Sequence, residues 1–231
     1  MKKISFLLLL CVSFNLSAQM GYWTAYQLTI PSENQKAVVD LFDAHFKANP
    51  TPEGVTAYLW ENHFRDKDNN FTHMFAWTGS AEALGKMYST YNKDWDLVIS
   101  KVSRLTESMH EAQQGNTMLA INADTNTKMF QRYYNFAANN REAMEKALEK
   151  VWSKNAYENR TYYMGRYKLG SGREDATHWI WIGSDSIADV FVSDDDRAAD
   201  EAYQKNFKTF YETSGGATMV NSGMLILQGS W

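Results

Sequence analysis

The feature that most constrains the fold of this chain is an internal repeat of about a hundred residues. Val38 and Phe46 lie on an apolar helical stripe that recurs at Met144 and Trp152, so both pairs are spaced 106 residues apart. In each copy the apolar residues follow the i, i+3, i+4, i+7 spacing that places them on one face of a helix. A repeat of this length predicts two copies of one structural unit in tandem.

Strand-like segments surround each of these helices in the same order. One segment precedes the helix, two follow it, and a last one comes after a short and a longer helical pattern. The order β-α-β-β-α-β in both copies predicts an α+β fold of two tandem ferredoxin-like repeats. The matched segments are 23–30 with 129–136, 56–60 with 161–165, 72–80 with 177–184, and 118–121 with 224–227.

The third strand of each copy carries an irregular match. His73 and His178 are 105 residues apart, whereas Trp77 and Trp181, each two residues before a Gly-Ser pair, are 104 apart. The spacing therefore predicts a bulge or a missing residue within this strand in one copy. The difference matters because a slip of one residue turns every side chain to the opposite face of a sheet.

The first residues have the pattern of a secretory signal peptide. Lys2 and Lys3 precede an apolar run at 4–12, and cleavage is expected after Ala18. The run is shorter than the roughly 20 apolar residues that span a bilayer, so no membrane insertion is expected after cleavage. Cys11, the only cysteine, leaves with this segment, so the mature protein has no disulfide. The expected organisation is a signal peptide at 1–18, repeat 1 at 19–122, a linker at 123–127, and repeat 2 at 128–231.

The charge balance is acidic. The chain has a net charge of −4, and loss of Lys2 and Lys3 leaves 21 basic against 27 acidic residues, a net charge of −6. An acidic chain without basic clusters argues against nucleic acid and anionic membranes as partners. The lysine-led signal indicates a bacterial protein that is exported to the periplasm or secreted.

Two histidines are the candidate catalytic residues. His73 has a repeat partner at His178, and histidines related in this way could bind a metal or act as acid and base. The alternative is an inherited strand-opening residue without a function. His45 lies on the apolar helical stripe where copy two has Val151, so it either lines a ligand pocket in copy one or is a core histidine with one hydrogen bond.

Aromatic side chains crowd the predicted strands. They suit both the packing of a buried sheet and a pocket for a flat apolar ligand, and the two interpretations remain open. No metal site, phosphate-binding loop or dinucleotide fingerprint is recognisable, so no cofactor is expected. The candidate ligand-binding residues are Tyr26, Tyr58, Trp60, Trp77, Tyr133 and Trp181.

The repeated order of elements, the extra short helix and the aromatic strands resemble the dimeric α+β barrel superfamily, in particular barrels of the antibiotic biosynthesis monooxygenase type. The resemblance implies that two ferredoxin-like sheets close into a barrel, here within one chain as a pseudo-dimer. Members of this superfamily also include isomerases and haem-degrading oxygenases. The haem-degrading members use an Asn, a Trp and a His; copy two offers Asn135 and Trp181 without the His, and copy one offers Trp77 and His110 without the Asn.

Three functions remain open at this point. The chain could bind a small apolar or aromatic molecule, as an exported barrel with an aromatic-lined pocket. It could be a cofactor-independent oxygenase or isomerase acting on an aromatic substrate. It could be a structural or interaction protein of the envelope, as a pseudo-dimeric monomer or a homodimer. Copy one is the expected location of the site because it holds four of the five histidines.

Overall fold

The computed structural model describes residues 21–65, 69–90, 92–123, 128–170 and 176–231. The expected signal peptide at 1–18, with Cys11, lies outside the described residues, as does the greater part of the expected linker, 124–127. Among the helices within these ranges, none is long and apolar enough to cross a membrane.

Both copies contain the expected elements in the expected order. Copy one consists of β1 (Tyr22–Thr29), α1 (Gln35–Ala48), β2 (Val55–Arg65), β3 (His73–Gly79), α2 (Ala81–Ser89), α3 (Lys93–Leu105) and β4 (Ser108–Ile121). Copy two consists of β5 (Phe130–Ala137), α4 (Arg141–Asn155), β6 (Thr161–Leu169), β7 (His178–Ser184), α5 (Ile187–Ala199), α6 (Glu201–Thr213) and β8 (Thr218–Ser230).

The eight strands form one closed antiparallel barrel in the order β1-β3-β2-β8-β5-β7-β6-β4. The pairs β2–β8 and β4–β6 join the two copies, and the other pairs lie within one copy. Closure gives every strand two hydrogen-bonded neighbours, so no edge is left unpaired in the described sheet. The prediction of two tandem α+β repeats packed as a pseudo-dimeric barrel is confirmed.

The helices cover the outer surface of the barrel. In copy one, α1 and α3 pack on the sheet, and the ring of Phe42 stacks on Phe75 of β3 with centroids 4.8 Å apart. In copy two, α4 and α6 cover the other half, where Leu148 and Phe210 are almost fully buried. Each copy therefore buries its own apolar core between helices and sheet, outside the barrel.

A separate core fills the inside of the barrel. Trp23 of β1 lies opposite Gly115 of β4, and Trp179 of β7 lies opposite Gly165 of β6. A Cβ atom on either glycine would collide with the indole of its partner. The two indoles meet edge to face with centroids 5.7 Å apart. The interior is therefore filled by aromatic rings where the glycines leave room for them.

The predicted bulge in the third strand is wrong. Both β3 and β7 pair with their neighbours without a shift of register. The 105-residue spacing of His73 and His178 holds along the strand, so Trp77 corresponds to Ile182 and not to Trp181. The helices that follow begin at Ala81 in copy one and at Ile187 in copy two, a spacing of 106 residues against 105 along the strand. The extra residue of copy two therefore lies between the strand and this helix.

The predicted match of the first strands, 23–30 with 129–136, is wrong by two residues, because copy one has a small insertion between this strand and the next helix. The backbone amide of Ile30 donates to Thr72 Oγ1, and the amide of Ala138 donates to Thr177 Oγ1, so the matched positions here are 108 residues apart. The helices that follow keep their spacing of 106. The two additional residues of copy one are accommodated by a short 3-10 helix at Ser32–Asn34.

Candidate functional site

A large cleft lies on the outer side of copy one, between the sheet and the helices α1, α2 and α3. Its volume is 1120 Å³. Of the residues that the sequence pointed to, Tyr26 of β1, His45 of α1 and Trp77 of β3 line it. Strand side chains alternate between the two sides of a sheet, so only those facing the helices can reach this cleft.

Aromatic rings form the floor of the cleft around Trp95 of α3. The indole of Trp95 lies 5.1 Å from that of Trp77, 5.6 Å from the ring of Phe75 and 5.9 Å from that of Phe46, measured between centroids. Trp95 is itself half-buried. Tilted and edge-to-face contacts of this kind leave ring faces and edges available to a flat ligand.

His45 occupies the wall of the cleft next to Trp95. Only 8% of the residue is exposed, and its ring lies 5.0 Å from Phe46 and 5.5 Å from Trp95. Within the described part of the chain, its ring nitrogens have no hydrogen-bond partner. Burial lowers the pKa of His45, and the nearby charge of Asp94 opposes this only in part. The imidazole is therefore neutral at neutral pH, with one nitrogen free to accept a proton or a hydrogen bond.

A chain of hydroxyl groups lies at another part of the cleft. The hydroxyl of Tyr88 on α2 lies 2.9 Å from that of Tyr26 and 2.7 Å from Thr24 Oγ1. Burial, followed by the interaction with Tyr88, raises the pKa of Tyr26 well above its ordinary value. Tyr26 therefore keeps its proton and can serve as a hydrogen-bond donor to a ligand.

Charged side chains surround the mouth of the cleft. Glu53, Glu82, Asp96 and Glu107 contribute four carboxylates, and Lys86 contributes one ammonium group. All five residues are exposed. No ion pair joins any of these five side chains to another described residue. The mouth is therefore negatively charged over an aromatic floor.

The remaining predicted ligand-binding residues lie inside the barrel, away from the cleft. Trp60 and Trp181 meet edge to face at 5.7 Å, and Tyr58 stacks on Trp60 at 6.0 Å. The hydroxyl of Tyr133 donates to Asn62 Oδ1 at 3.2 Å. The six aromatic residues were predicted to line one pocket. The sheet separates them into two groups: Tyr26 and Trp77 face the cleft, and the other four fill the barrel.

The two repeated histidines have buried positions under the helices. His73 is 2% exposed, its Nδ1 lies 3.0 Å from Thr72 Oγ1, and it does not line the cleft. His178 is fully buried, and its Nε2 lies 2.9 Å from Glu145 of α4, which also pairs with Arg166. Burial lowers the pKa of both histidines. The structure thus separates His73 from His45, and Glu145 is a partner of His178 that the sequence comparison missed.

Copy two carries different residues where copy one has its cleft. Val151 stands at the helix position of His45 and Ile182 at the strand position of Trp77, while Tyr203, the third residue of α6, stands where Trp95 is the third residue of α3. Trp95 was missed by the sequence analysis, although its spacing from Val98 and Val102 places it on the same helical stripe. A search for aromatic residues on helices, rather than on strands alone, would have found it.

No protein-family model and no curated protein matches the sequence. Solved structures do share the fold. An anthrone oxidase-like protein superimposes with a TM-score of 0.61 at 13% identity, covering 92% of this chain and 93% of the other. A candidate monooxygenase from Lactobacillus acidophilus gives 0.60 at 11%, covering 92% and 98%. Another, from Fusobacterium nucleatum, gives 0.62 at 10%, covering 91% and 94%. The chain has the dimeric α+β barrel fold.

Haem is bound by some proteins of this fold, and the cleft residues can be compared with its requirements. His45 could ligate an iron, but the two propionates of haem would meet four carboxylates and only Lys86 at the mouth. Asn135, which the haem-degrading pattern would use with Trp181, bonds to Tyr167 inside the barrel. The residues present do not fit haem.

Proposed function

We propose that this protein binds a small, planar, largely apolar aromatic molecule in the cleft of copy one. The observation that carries the proposal is His45, a nearly buried histidine without a hydrogen-bond partner, set in a wall of aromatic rings. His45 lines the cleft, and its ring nitrogens are not among the described side-chain atoms that are shielded from solvent without a partner. A ligand that donates a hydrogen bond to His45 would therefore take the place of solvent at this nitrogen.

The dimensions and chemistry of the cleft support such a ligand. Ligand pockets commonly measure roughly 300–1,000 Å³ and combine an apolar lining with a few polar groups. The cleft, at 1120 Å³, lies slightly above the upper end of that range. Trp95 and Trp77 supply the apolar surface, and His45 and Tyr26 supply an acceptor and a donor that would orient a flat molecule.

The experiment that tests binding is a fluorescence titration of the purified protein with anthracene-9-methanol, a neutral three-ring alcohol. The wild type is expected to bind it saturably. The His45→Val variant, which introduces the residue of copy two, is expected to fold and to bind about tenfold more weakly. His63→Gln, at the outer end of β2, is the matched histidine control and should bind as the wild type does. Equal binding by all three proteins, or by none, would contradict the proposal.

A second candidate function is catalysis by a cofactor-independent oxygenase or isomerase. The neutral His45 could take a proton from an activated aromatic substrate, and the Tyr26 hydroxyl could donate to the oxygen on which negative charge then develops. The likeness to an anthrone oxidase-like protein and to candidate monooxygenases supports the choice of substrate to test. In such a reaction anthrone and dioxygen would give anthraquinone and water.

Oxygen uptake in the presence of anthrone tests this second function. Turnover should be lost in His45→Ala and kept in His73→Ala, since His73 is outside the cleft. Binding of anthrone without oxygen uptake would leave the first proposal and remove the second. Turnover that survives His45→Ala would remove His45 as the base.

We also propose that the protein is exported, as the first residues suggest. The pattern of Lys2, Lys3 and the apolar run at 4–12 supports this, with cleavage after Ala18. The mass of the protein purified from its own cells tests the proposal, because a mature chain that begins at Gln19 is expected. An intact Met1 would contradict it. A scaffolding role through exposed sheet edges has little support, since every described strand is paired on both sides.

A further inference from the structure

We propose that the cleft of copy one selects positively charged planar aromatic molecules with an N–H group over neutral or anionic ones of the same shape. This inference rests on the proposed binding function and names the class of ligand. It is argued from the charges at the mouth, the rings of the floor, and the unpaired acceptor on the wall.

The charges at the mouth are unbalanced and open to a ligand. Glu53, Glu82, Asp96 and Glu107 face a single cation, Lys86. Glu82 and Lys86 are four residues apart on α2, a spacing that often gives an ion pair, yet no ion pair joins them. Because none of these carboxylates is neutralised by another described residue, the potential at the mouth favours a cation.

The floor of the cleft attracts positive charge as well. The faces of Trp, Tyr and Phe rings carry partial negative charge, and a cation above such a ring is stabilised. Trp95 and Trp77 lie at its centre, with Phe75 beneath. A flat cation can therefore stack on these rings while its charge remains close to the acidic mouth.

His45 favours a ligand that carries a hydrogen-bond donor. His45 is 8% exposed as a residue, lines the cleft, and its ring has no hydrogen-bond partner in the described chain. A neutral imidazole has one nitrogen that accepts a hydrogen bond. A protonated amine supplies both the positive charge and the N–H group, whereas a carboxylate offers neither. The three features thus point to one ligand chemistry.

Three anthracene derivatives with the same ring system separate these effects. The 9-aminomethyl compound is a cation at neutral pH, the 9-hydroxymethyl compound is neutral, and the 9-carboxylate is an anion. Dissociation constants are measured by anthracene fluorescence at about 20 mM and about 500 mM salt. The cation is expected to bind about tenfold more tightly than the alcohol, and the carboxylate least tightly, with the advantage reduced at high salt because ions screen exposed charges.

Two variants test where the selectivity comes from. Glu82→Gln combined with Asp96→Asn should reduce the advantage of the cation over the alcohol at least threefold, while the affinity for the alcohol stays the same. Glu142→Gln on α4 is the matched control, because it removes an exposed carboxylate outside the cleft. Equal binding of cation and alcohol would overturn this inference and leave the proposed function standing. Failure of all three compounds to bind would overturn both.

Discussion

The imidazole of His45 and the indole of Trp95 meet with centroids 5.5 Å apart, and this contact distinguishes the two copies of the repeat. In copy two, Val151 stands at the position of His45 and Tyr203 at that of Trp95, so no histidine meets an aromatic ring there. The barrel interior is shared by both copies, whereas the surface between helices and sheet has diverged. A ligand should therefore bind to one half of a nearly symmetric molecule.

Replacement of Trp95 by Ala should weaken ligand binding and also lower the stability of the fold. The indole contacts Phe46, Phe75 and Trp77, so its loss removes the centre of the aromatic floor. We expect the dissociation constant for anthracene-9-methanol to rise about tenfold or more, and the free energy of unfolding to fall by about 2–3 kcal/mol because the residue is half-buried. Leu97→Ala on the same helix is the control, since Leu97 is 55% exposed and should leave affinity unchanged.

Ligand binding should be insensitive to pH near neutrality and weaken in acid. Burial lowers the pKa of His45, with Asp94 opposing, so the acceptor nitrogen stays free at pH values down to at least the ordinary histidine range near 6.5. Below that range protonation removes the acceptor. A titration of affinity against pH with anthracene-9-methanol should show this loss in the wild type and not in His45→Gln. A loss that begins above about pH 7 would contradict the account.

The stability of the fold should also fall in acid, through the buried histidine of β3. Burial lowers the pKa of His73 to about 4, with Glu61 and Arg65 acting in opposite directions. The unfolded chain keeps the ordinary pKa near 6.5 and so binds the proton more readily. The contribution is therefore fully present above pH 6.5 and is lost as the pH falls towards 4, by roughly 2–3 kcal/mol.

Urea unfolding at a series of pH values measures this effect. In His73→Gln the slope of stability against pH between about 6.5 and 4 should become shallower, whatever the stability of the variant at pH 7. His178→Gln should also flatten the slope, because burial lowers the pKa of His178 while its hydrogen bond to Glu145 opposes. Slopes that match the wild type in both variants would exclude these histidines as the cause.

The order of elements could be predicted from the sequence because helix and strand periodicities are local properties. The apolar stripe around Phe42 and the alternating strands were sufficient for the β-α-β-β-α-β order. The predictions that were wrong concern the side of the sheet on which a strand side chain lies. Trp77 and Trp181 precede similar Gly-Ser pairs, yet one packs on Phe46 outside the barrel and the other on Trp60 inside it. A local similarity cannot give the register, which depends on pairing with distant strands.

The candidate site was only partly predictable for the same reason. His45 was recognised because it breaks the repeat at a buried position. Trp95 and Tyr88 were missed because they belong to helices that the search for aromatic strands did not cover. The hydroxyl contact between Tyr88 and Tyr26 joins residues 62 positions apart in the chain, and no sequence periodicity reports it.

Substitution of Gly115 by Ala should destabilise the barrel. A Cβ atom there would collide with Trp23 and with the carbonyl oxygen of Arg166, neither of which can move freely. We expect a loss of about 1–3 kcal/mol, as is usual for overpacking. Gly85→Ala on α2 is the control, because nothing lies within 4 Å of the added atom, and it should stabilise by about 0.5–1 kcal/mol. Thermal unfolding that ranks the two variants in the opposite order would contradict this account of the interior.

The two copies should unfold together, because Trp231, after β8 of copy two, packs on α1 of copy one. Its ring stacks on Phe46 at 4.9 Å, its Nε1 donates to Asp43 at 2.9 Å, and its backbone pairs with Ala57. Trp231→Ala should cost about 2–3 kcal/mol, and Trp231→Phe, which keeps the stacking, about 1 kcal/mol. Urea unfolding followed by fluorescence and by circular dichroism should give coincident single transitions. Two separate transitions would contradict the coupling.

The central claim, that a planar aromatic ligand binds between the helices and the sheet of copy one, is tested most directly by hydrogen exchange. Backbone exchange is measured by mass spectrometry with and without saturating anthracene-9-methanol. We predict slower exchange in peptides from α1 and α3, no change in the matched peptides from α4 and α6, and weaker protection of α1 and α3 in His45→Val at the same ligand concentration. Slower exchange in α4 and α6, or protection of α1 and α3 that is as strong in His45→Val as in the wild type at ligand concentrations below saturation, would contradict the assignment of the site.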